Sequence, residues 1–159
     1  MKETSAGVII YRRTNEGPKF LLLYHGGRYW NFPKGKIDES SSGRETTFKA
    51  AIREVKEETG LSARDLRFDS RFKTYDKYIF TQKGKKIFKT VVYYLAETNK
   101  REIKISNEHA GFGWFLQKEA SRMLLYGNLK NNIKKAYETV QGKSLRHNKK
   151  NPPRSGSNV

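Results

Sequence analysis

The sequence predicts a single α/β domain built around a mixed sheet, and three observations lead to that prediction. The chain has 159 residues, 35% of them hydrophobic and 13% aromatic, which is enough for one well-packed core. Segments rich in β-branched and aromatic residues occur on both sides of one segment with helical periodicity. A second helical pattern follows the last of the predicted strands. This succession of strands and helices is typical of an α/β fold.

The N-terminal third predicts a hairpin, and a helix follows it. Residues 5–11 and 20–24 are strand-like, and a turn-forming stretch at residues 15–18 separates them. At residues 40–59 the apolar side chains recur at i, i+3, i+4 and i+7, so this segment is predicted to be a helix that ends at Gly60. The apolar stripe consists of Phe48, Ala51, Ile52 and Val55.

The middle of the chain predicts a second, longer hairpin. Residues 67–81 and 86–96 are rich in aromatic and β-branched residues, and the stretch at 82–85 between them contains two lysines and a glycine. A long hairpin with a basic tip is therefore expected. Residues 113–116 predict one more strand.

The C-terminal part predicts two helices and a tail. Apolar positions with helical spacing run through residues 117–140, with a break expected at Gly127 and Asn128. Residues 141–159 contain five basic residues and no acidic residue, together with a Pro-Pro pair. Such a composition favours disorder. The folded domain is therefore predicted to span residues 1–140, and the tail residues 141–159.

The charge balance and the lack of cysteine limit the function. The 33 basic residues exceed the 16 acidic ones and give a net charge of +17, so anions such as nucleotides, nucleic acid or acidic surfaces are the expected partners. The absence of cysteine excludes a disulfide framework, a thiol nucleophile and a cysteine zinc site. No apolar run approaches the roughly 20 residues of a membrane-spanning helix. No apolar leader is visible either, so we expect a cytoplasmic protein without a membrane partner.

Three glutamates form the most informative cluster. On a helix, Glu54, Glu57 and Glu58 would share one edge, where their charges repel each other. A bound divalent cation would offset that repulsion, and carboxylate oxygens suit Mg²⁺ or Mn²⁺. The alternative is an ordinary acidic helix face exposed to solvent.

The residues around this cluster closely resemble the signature of the Nudix hydrolases. Glu45 is followed after seven residues by Arg53-Glu54, an aliphatic residue, any residue, Glu57-Glu58, any residue, glycine and an aliphatic residue, and Gly35 matches the first glycine. Nine residues separate that glycine from the first glutamate, where the signature has five, and the polar stretch at 38–43 reads as a lengthened loop. The resemblance implies an α/β/α sandwich that hydrolyses a nucleoside diphosphate linked to another group.

Three further segments are most similar to the asymmetric diadenosine tetraphosphate hydrolases. These are residues 30–36, residues 89–97 and residues 106–109 with the tryptophan that follows. The resemblance implies attack of water on a phosphorus of diadenosine tetraphosphate, with Mg²⁺ or Mn²⁺ bound, to give ATP and AMP. Tyr29 and Lys36 stand where many eukaryotic members carry histidine. The first segment also resembles that of messenger-RNA decapping enzymes.

The resemblance also implies roles for particular residues. Glu54, Glu57, Glu58, the carbonyl group of Gly35 and Glu108 would hold the metal ions. Arg53 would orient the cluster, and Glu57 or Glu108 would deprotonate the water. The candidates for binding the phosphates are Lys34, Lys36 and Lys89, and those for stacking on a base are Tyr75, Tyr78 and Tyr93.

For Glu45, the pattern with Ser42 favours a capping box, or an ion pair to Arg53, over metal binding. Three histidines, His25, His109 and His147, are too scattered to predict a metal site, and His109 is expected on the surface.

Two other functions remain open. One is removal of pyrophosphate or of the cap from RNA 5′ ends, which the positive charge favours. The other is a nucleic-acid-binding module without turnover, which the complete set of repelling glutamates disfavours.

Overall fold

The computed structural model describes the backbone of residues 1–38 and 45–150, and the side chains of residues 1–38 and 45–142. The strands are β1 (Lys2–Thr14), β2 (Gly17–Tyr24), β3 (Trp30–Asn31), β4 (Lys34–Lys36), β5 (Arg67–Phe68), β6 (Thr74–Gln82), β7 (Lys85–Glu97) and β8 (Gly111–Leu116). The helices are α1 (Thr47–Thr59), α2 (Gln117–Met123) and α3 (Gly127–Lys150), with one 3₁₀ turn at Ala63–Asp65. None of the described helices is both long and apolar enough to cross a membrane.

All the strands join one mixed sheet. Its central path runs β3-β2-β1-β7-β5, and β4, β6 and β8 pair with β1, β7 and β2. Strands β1 and β7 are parallel, and the other pairs are antiparallel. The two predicted hairpins are confirmed as β1–β2 and β6–β7.

Helices cover both faces of the sheet. Alternate residues of β1 point to opposite sides, so Val8 and Ile10 pack with α1 while Ile9 and Tyr11 pack with α2 and α3. All four side chains are nearly or completely buried. The predicted α/β/α sandwich is thereby confirmed.

Helix α1 begins later than the predicted start at residue 40. Thr46 caps it, and its hydroxyl accepts a hydrogen bond from the backbone N–H of Lys49 at 3.2 Å. Thr46, and not the Ser42–Glu45 pattern, therefore caps α1, and Ser42 and most of the lengthened loop lie outside the described residues. Gly60 ends the helix in the left-handed conformation, at φ 78°, as predicted. In the predicted apolar stripe, Phe48 is partly exposed, and its ring packs edge-on against Phe68 and Tyr94.

The second hairpin and the C-terminal helices differ from prediction in their boundaries. The predicted strand at 67–81 is two strands, since the carboxylate of Asp69 accepts the backbone N–H of Arg71 and turns the chain between them. The break between α2 and α3 falls at residues 124–126, and Gly127 begins α3 instead of interrupting a helix. Helix α3 continues to Lys150, ten residues beyond residue 140, the predicted end of the folded domain. Residues 151–159 lie outside the described part.

Candidate active site

The first glycine of the Nudix-like signature lies directly against the glutamate cluster. Strand β4 pairs with β1, which places Gly35 beside Ala6 and under α1. A Cβ atom on Gly35 would lie 1.9 Å from Cδ and 2.1 Å from Oε2 of Glu54. Only glycine allows this approach of the backbone to the carboxylate.

A second glycine permits β4 to reach that position. A Cβ atom on Gly7 would lie 2.3 Å from the carbonyl oxygen of Pro33 and 2.7 Å from Cβ of Lys34. Pro33 and Lys34 thus cross closely over β1, and the chain enters the site along a fixed path.

Glu58 is a buried carboxylate at the end of α1. Its side chain is almost covered, and Oε2 accepts a hydrogen bond from the backbone N–H of Lys34 at 3.0 Å. Burial, helped by the nearby carboxylates of Glu54 and Glu108, raises the pKa of Glu58 to about 8 against the opposing effect of that hydrogen bond. Burial likewise raises the pKa of Glu54. The negatively charged forms of Glu54 and Glu58 are therefore disfavoured, and a bound cation would stabilise them.

Arg53 binds the acidic side chains together, as the resemblance implies. Its guanidinium donates from Nε and Nη2 to the two carboxylate oxygens of Glu45, at 2.8 and 2.9 Å. Nη1 donates to Glu54 at 2.9 Å and to Glu57 at 3.2 Å, and Nη2 also donates to the carbonyl oxygen of Lys36 at 2.9 Å. This confirms the predicted ion pair with Glu45. The planar fork fixes the direction of three carboxylates at once.

The donor set fits a hard divalent cation, although the ligands are not assembled in one group. Within the described ranges, no three acidic or histidine side chains are arranged so that they could hold a metal ion. The charge of Glu54 raises the pKa of Glu58, while Glu57 is half-exposed and turned to Arg53. Glu108 is exposed, and its charge acts on both buried glutamates. Oxygen atoms alone supply the site, as Mg²⁺ and Mn²⁺ prefer.

The three predicted phosphate-binding lysines differ in their surroundings. Lys34 forms no ion pair with any residue that the structure describes, and burial together with the charge of Lys89 lowers its pKa. Lys36 and Lys89 both reach the carboxylate of Glu3, each at 3.3 Å. Lys34 is therefore the cation most ready to receive an anion.

The three predicted stacking tyrosines are not brought together. Tyr93 is completely buried against Phe32 and points its hydroxyl to Asn31, so it is a core residue and its assignment to base stacking is wrong. Tyr75 pairs with Val92, which places it on the opposite face of the hairpin from Tyr93. It therefore does not face the cleft that contains Lys34 and Lys89, and its assignment to base stacking there is also wrong. The alternation of side chains along a strand accounts for both corrections.

Tyr78 keeps its candidate role. It pairs with Lys89 on the face that carries Tyr93, and 40% of the side chain is exposed. Its ring lies 6.1 Å from that of Phe80. An accessible ring beside a lysine is suited to a nucleobase attached to phosphates.

Two of the three histidines lie close together beside Glu58. His109 is buried, which corrects its predicted surface position. Its Nδ1 lies 3.0 Å from the hydroxyl of Ser106, and its Nε2 lies 4.0 Å from Glu58. The ring of His25 packs edge-on at 4.5 Å, and burial lowers the pKa of His25 to about 4. The pairing of β2 with β8 brings these two positions together, and their spacing in the sequence does not reveal this.

Asp76 is a further buried acid that the sequence pattern did not reveal. It lies on β6, where its Oδ1 accepts a hydrogen bond from the side-chain amide of Asn128 at 3.0 Å. Its charge raises the pKa of Lys34, although burial lowers the pKa of that lysine overall. Asp76 thus contributes to the electrostatics of the cleft from the side of α3.

The geometry defines the class of the protein, and a comparison with known families agrees. The NUDIX domain matches residues 1–140, so the chain belongs to that family. Its relatives make it a hydrolase of the Nudix type. It is 33% identical over 144 residues to the asymmetrical bis(5′-nucleosyl)-tetraphosphatase of Mus musculus, covering 84% of this chain and 92% of the relative. The protein of the same name from Rattus norvegicus is 32% identical over 144 residues, with the same coverage.

Among solved structures, the fold is similar to a C. elegans Ap4A hydrolase in a binary complex. The TM-score is 0.75 at 29% identity, over 88% of this chain and 98% of that chain. The expected family resemblance is therefore confirmed at the level of both sequence and fold.

Proposed function

We propose that this protein hydrolyses diadenosine tetraphosphate and related dinucleoside polyphosphates to unequal products, ATP and AMP, with Mg²⁺ or Mn²⁺ as its cofactor. Nudix hydrolases generally need a divalent metal ion, and the mouse and rat relatives carry the name of this activity. The observation that carries the proposal is the buried Glu58 together with the partly buried Glu54 beside the backbone of Gly35. We expect the reaction to take place in the cytoplasm.

The acidic residues would hold the metal ions. Glu54, Glu58 and the carbonyl group of Gly35 form the buried part of the ligand set, and Glu57 and Glu108 would complete it from the exposed side. When bound, the ions polarise the phosphoryl group and neutralise the charge of the phosphates. Arg53 would hold the carboxylates of Glu45, Glu54 and Glu57 in a fixed orientation.

The basic side chains would position the polyphosphate. Lys34 forms no ion pair with any described residue, and Lys36 and Lys89 extend the positive path beside it. Tyr78 would stack on the base at one end of the chain of phosphates. Anchoring one nucleoside at a fixed distance from Glu54 and Glu58 fixes which phosphorus is attacked. A general base among Glu57 and Glu108 would take the proton of the attacking water.

One assay tests the proposal against its nearest rival. The purified full chain is mixed with diadenosine tetraphosphate, triphosphorylated RNA or capped RNA, with Mg²⁺ and with a chelator. We expect kcat/KM for diadenosine tetraphosphate to exceed that for either RNA by at least about tenfold, and the chelator to abolish turnover. Faster hydrolysis of an RNA 5′ end would replace the proposed substrate, and no hydrolysis of any of the three would contradict the proposal.

A further inference from the structure

One face of the β6–β7 hairpin exposes apolar and basic side chains next to each other. Ile79 pairs with Phe88, and Phe88 pairs with Lys2 of β1, so the three side chains lie in one row on the same face. Lys77 and Tyr75 follow on β6, and Lys86 lies on β7 opposite Thr81. We call this face the hairpin surface, and it consists of Lys2, Tyr75, Lys77, Ile79, Lys86 and Phe88.

The apolar members of this surface are unusually accessible. The exposed fraction is 59% for Ile79, 49% for Phe88 and 47% for Tyr75. Single exposed apolar side chains are ordinary, but a contiguous group on a regular sheet face indicates a binding surface. Because these residues belong to the paired strands β6 and β7, the sheet fixes their backbone positions even when no binding partner is present.

The charge of the surface restricts what can cover it. The other positions on this face of β6 and of the neighbouring starts of β7 and β1 are the exposed Thr81 and the partly buried Thr4 and Thr90, so none of these described positions is acidic. The hairpin tip adds Lys83 and Lys85. A second copy of the chain would bring a like charge to this face, which costs free energy on association. The partner must therefore be an anion that also offers apolar surface.

The spacing of rings and charges matches single-stranded nucleic acid. Nζ of Lys77 lies 5.5 Å from the centre of the Tyr75 ring, so a planar group and a cation occur side by side. Side chains two residues apart on a strand are separated by roughly 7 Å, which allows successive extended nucleotides to place a base on a ring and a phosphate on a lysine. We propose that the hairpin surface binds single-stranded nucleic acid, with bases stacked on Tyr75 and Phe88 and phosphates bound by Lys2, Lys77 and Lys86.

This surface is separate from the proposed substrate cleft. The opposite face of the same hairpin carries Tyr78 and Lys89, which the proposed function uses. Binding on the hairpin surface therefore does not depend on hydrolysis of a dinucleotide. The inference goes beyond the proposed function, and its failure would leave that function unchanged.

The experiment measures binding of a labelled oligouridylate of about twelve nucleotides by fluorescence anisotropy, at several salt concentrations. Tyr75→Ser and Phe88→Ser should each raise Kd by about 5- to 100-fold, since a ring that stacks on a base is lost. Tyr75→Phe keeps the ring and should bind within about twofold of the parent. All three variants should hydrolyse the dinucleotide like the parent and melt at nearly the same temperature.

The contribution of charge is tested by a matched pair of variants. Lys86→Glu should raise Kd and reduce the slope of log K against log salt, because phosphate contacts are lost. Lys118→Glu makes the same charge change on an exposed residue of α2 and should have a much smaller effect. Equal effects of the two charge reversals, or parent-like binding by both serine variants, would overturn the proposal. Preference for a duplex of equal length, or for an acidic peptide, would overturn it as well.

Discussion

The acidic end of α1 and the hairpin surface are opposite kinds of functional candidate. At the end of α1, Arg53, Glu54 and Glu58 are fixed by buried contacts, and Gly35 leaves no free space beside them. On the hairpin surface, the side chains around Phe88 are open to solvent. Chemistry requires reacting groups to be held within fractions of an ångström, whereas stacking on a base tolerates variation. The two regions should therefore respond very differently to substitution.

The largest difference is expected for the buried carboxylate itself. Glu58→Gln keeps the shape but removes a charge from the proposed metal site, so kcat should fall by about 10³-fold or more. Phe88→Ser, on the hairpin surface, should leave kcat unchanged. Steady-state kinetics with diadenosine tetraphosphate measures both. A Glu58→Gln enzyme within about tenfold of the parent would remove Glu58 from the metal site.

Gly35→Ala should have the next largest effect. The added methyl group would overlap the carboxylate of Glu54, so that either the glutamate or β4 must move, and we expect about a 100-fold loss of kcat/KM. Gly142→Ala is the control, because a Cβ atom there would meet nothing within 4 Å. Similar activity of the two variants would show that the close packing at Gly35 has no catalytic importance.

Lys34→Ala should have a smaller effect on turnover. The substitution removes a cation from beside the polyphosphate. KM should rise by about tenfold, and kcat should fall as well if the lysine also acts on the transition state. Lys85→Ala removes the same charge at the hairpin tip and should leave both constants unchanged. If both lysine variants raise KM equally, the effect comes from net charge and Lys34 has no special position.

The smallest effect concerns stability alone. Thr46→Ala removes the hydroxyl that caps α1 and should lower the free energy of unfolding by about 1 kcal/mol. Thr81→Ala, on the exposed hairpin, should change it by less than about 0.5 kcal/mol. Chemical denaturation measures both values. A parent-like midpoint for Thr46→Ala would mean that another group satisfies the backbone at the start of the helix.

The sequence predicts the acidic end of α1 well because its signals are local. The spacing of Arg53, Glu54 and Glu58 along one helix and the stop at Gly60 depend on neighbours in the chain, and the structure keeps them. The start of the helix is harder to predict, because Thr46 and the Ser42–Glu45 pattern both resemble capping sequences, and the structure uses Thr46.

Features that depend on strand pairing were harder to predict. Tyr75 and Tyr93 looked alike as aromatic residues in strands, and only the register between β6 and β7 separates an exposed ring from a buried one. His25 and His109 are far apart in the sequence, and the pairing of β2 with β8 brings them together beside Glu58. A shift of register by one residue would exchange the two faces, so composition alone does not determine them.

The position of cleavage tests the account most directly. Diadenosine tetraphosphate is hydrolysed in ¹⁸O-labelled water with Mg²⁺, and the products are separated and weighed by mass spectrometry. A nucleoside anchored at a fixed distance from Glu54 and Glu58 predicts ATP and AMP, with the label on only one of them and always on the same one. Two molecules of ADP, or a label distributed over both products, would contradict the account.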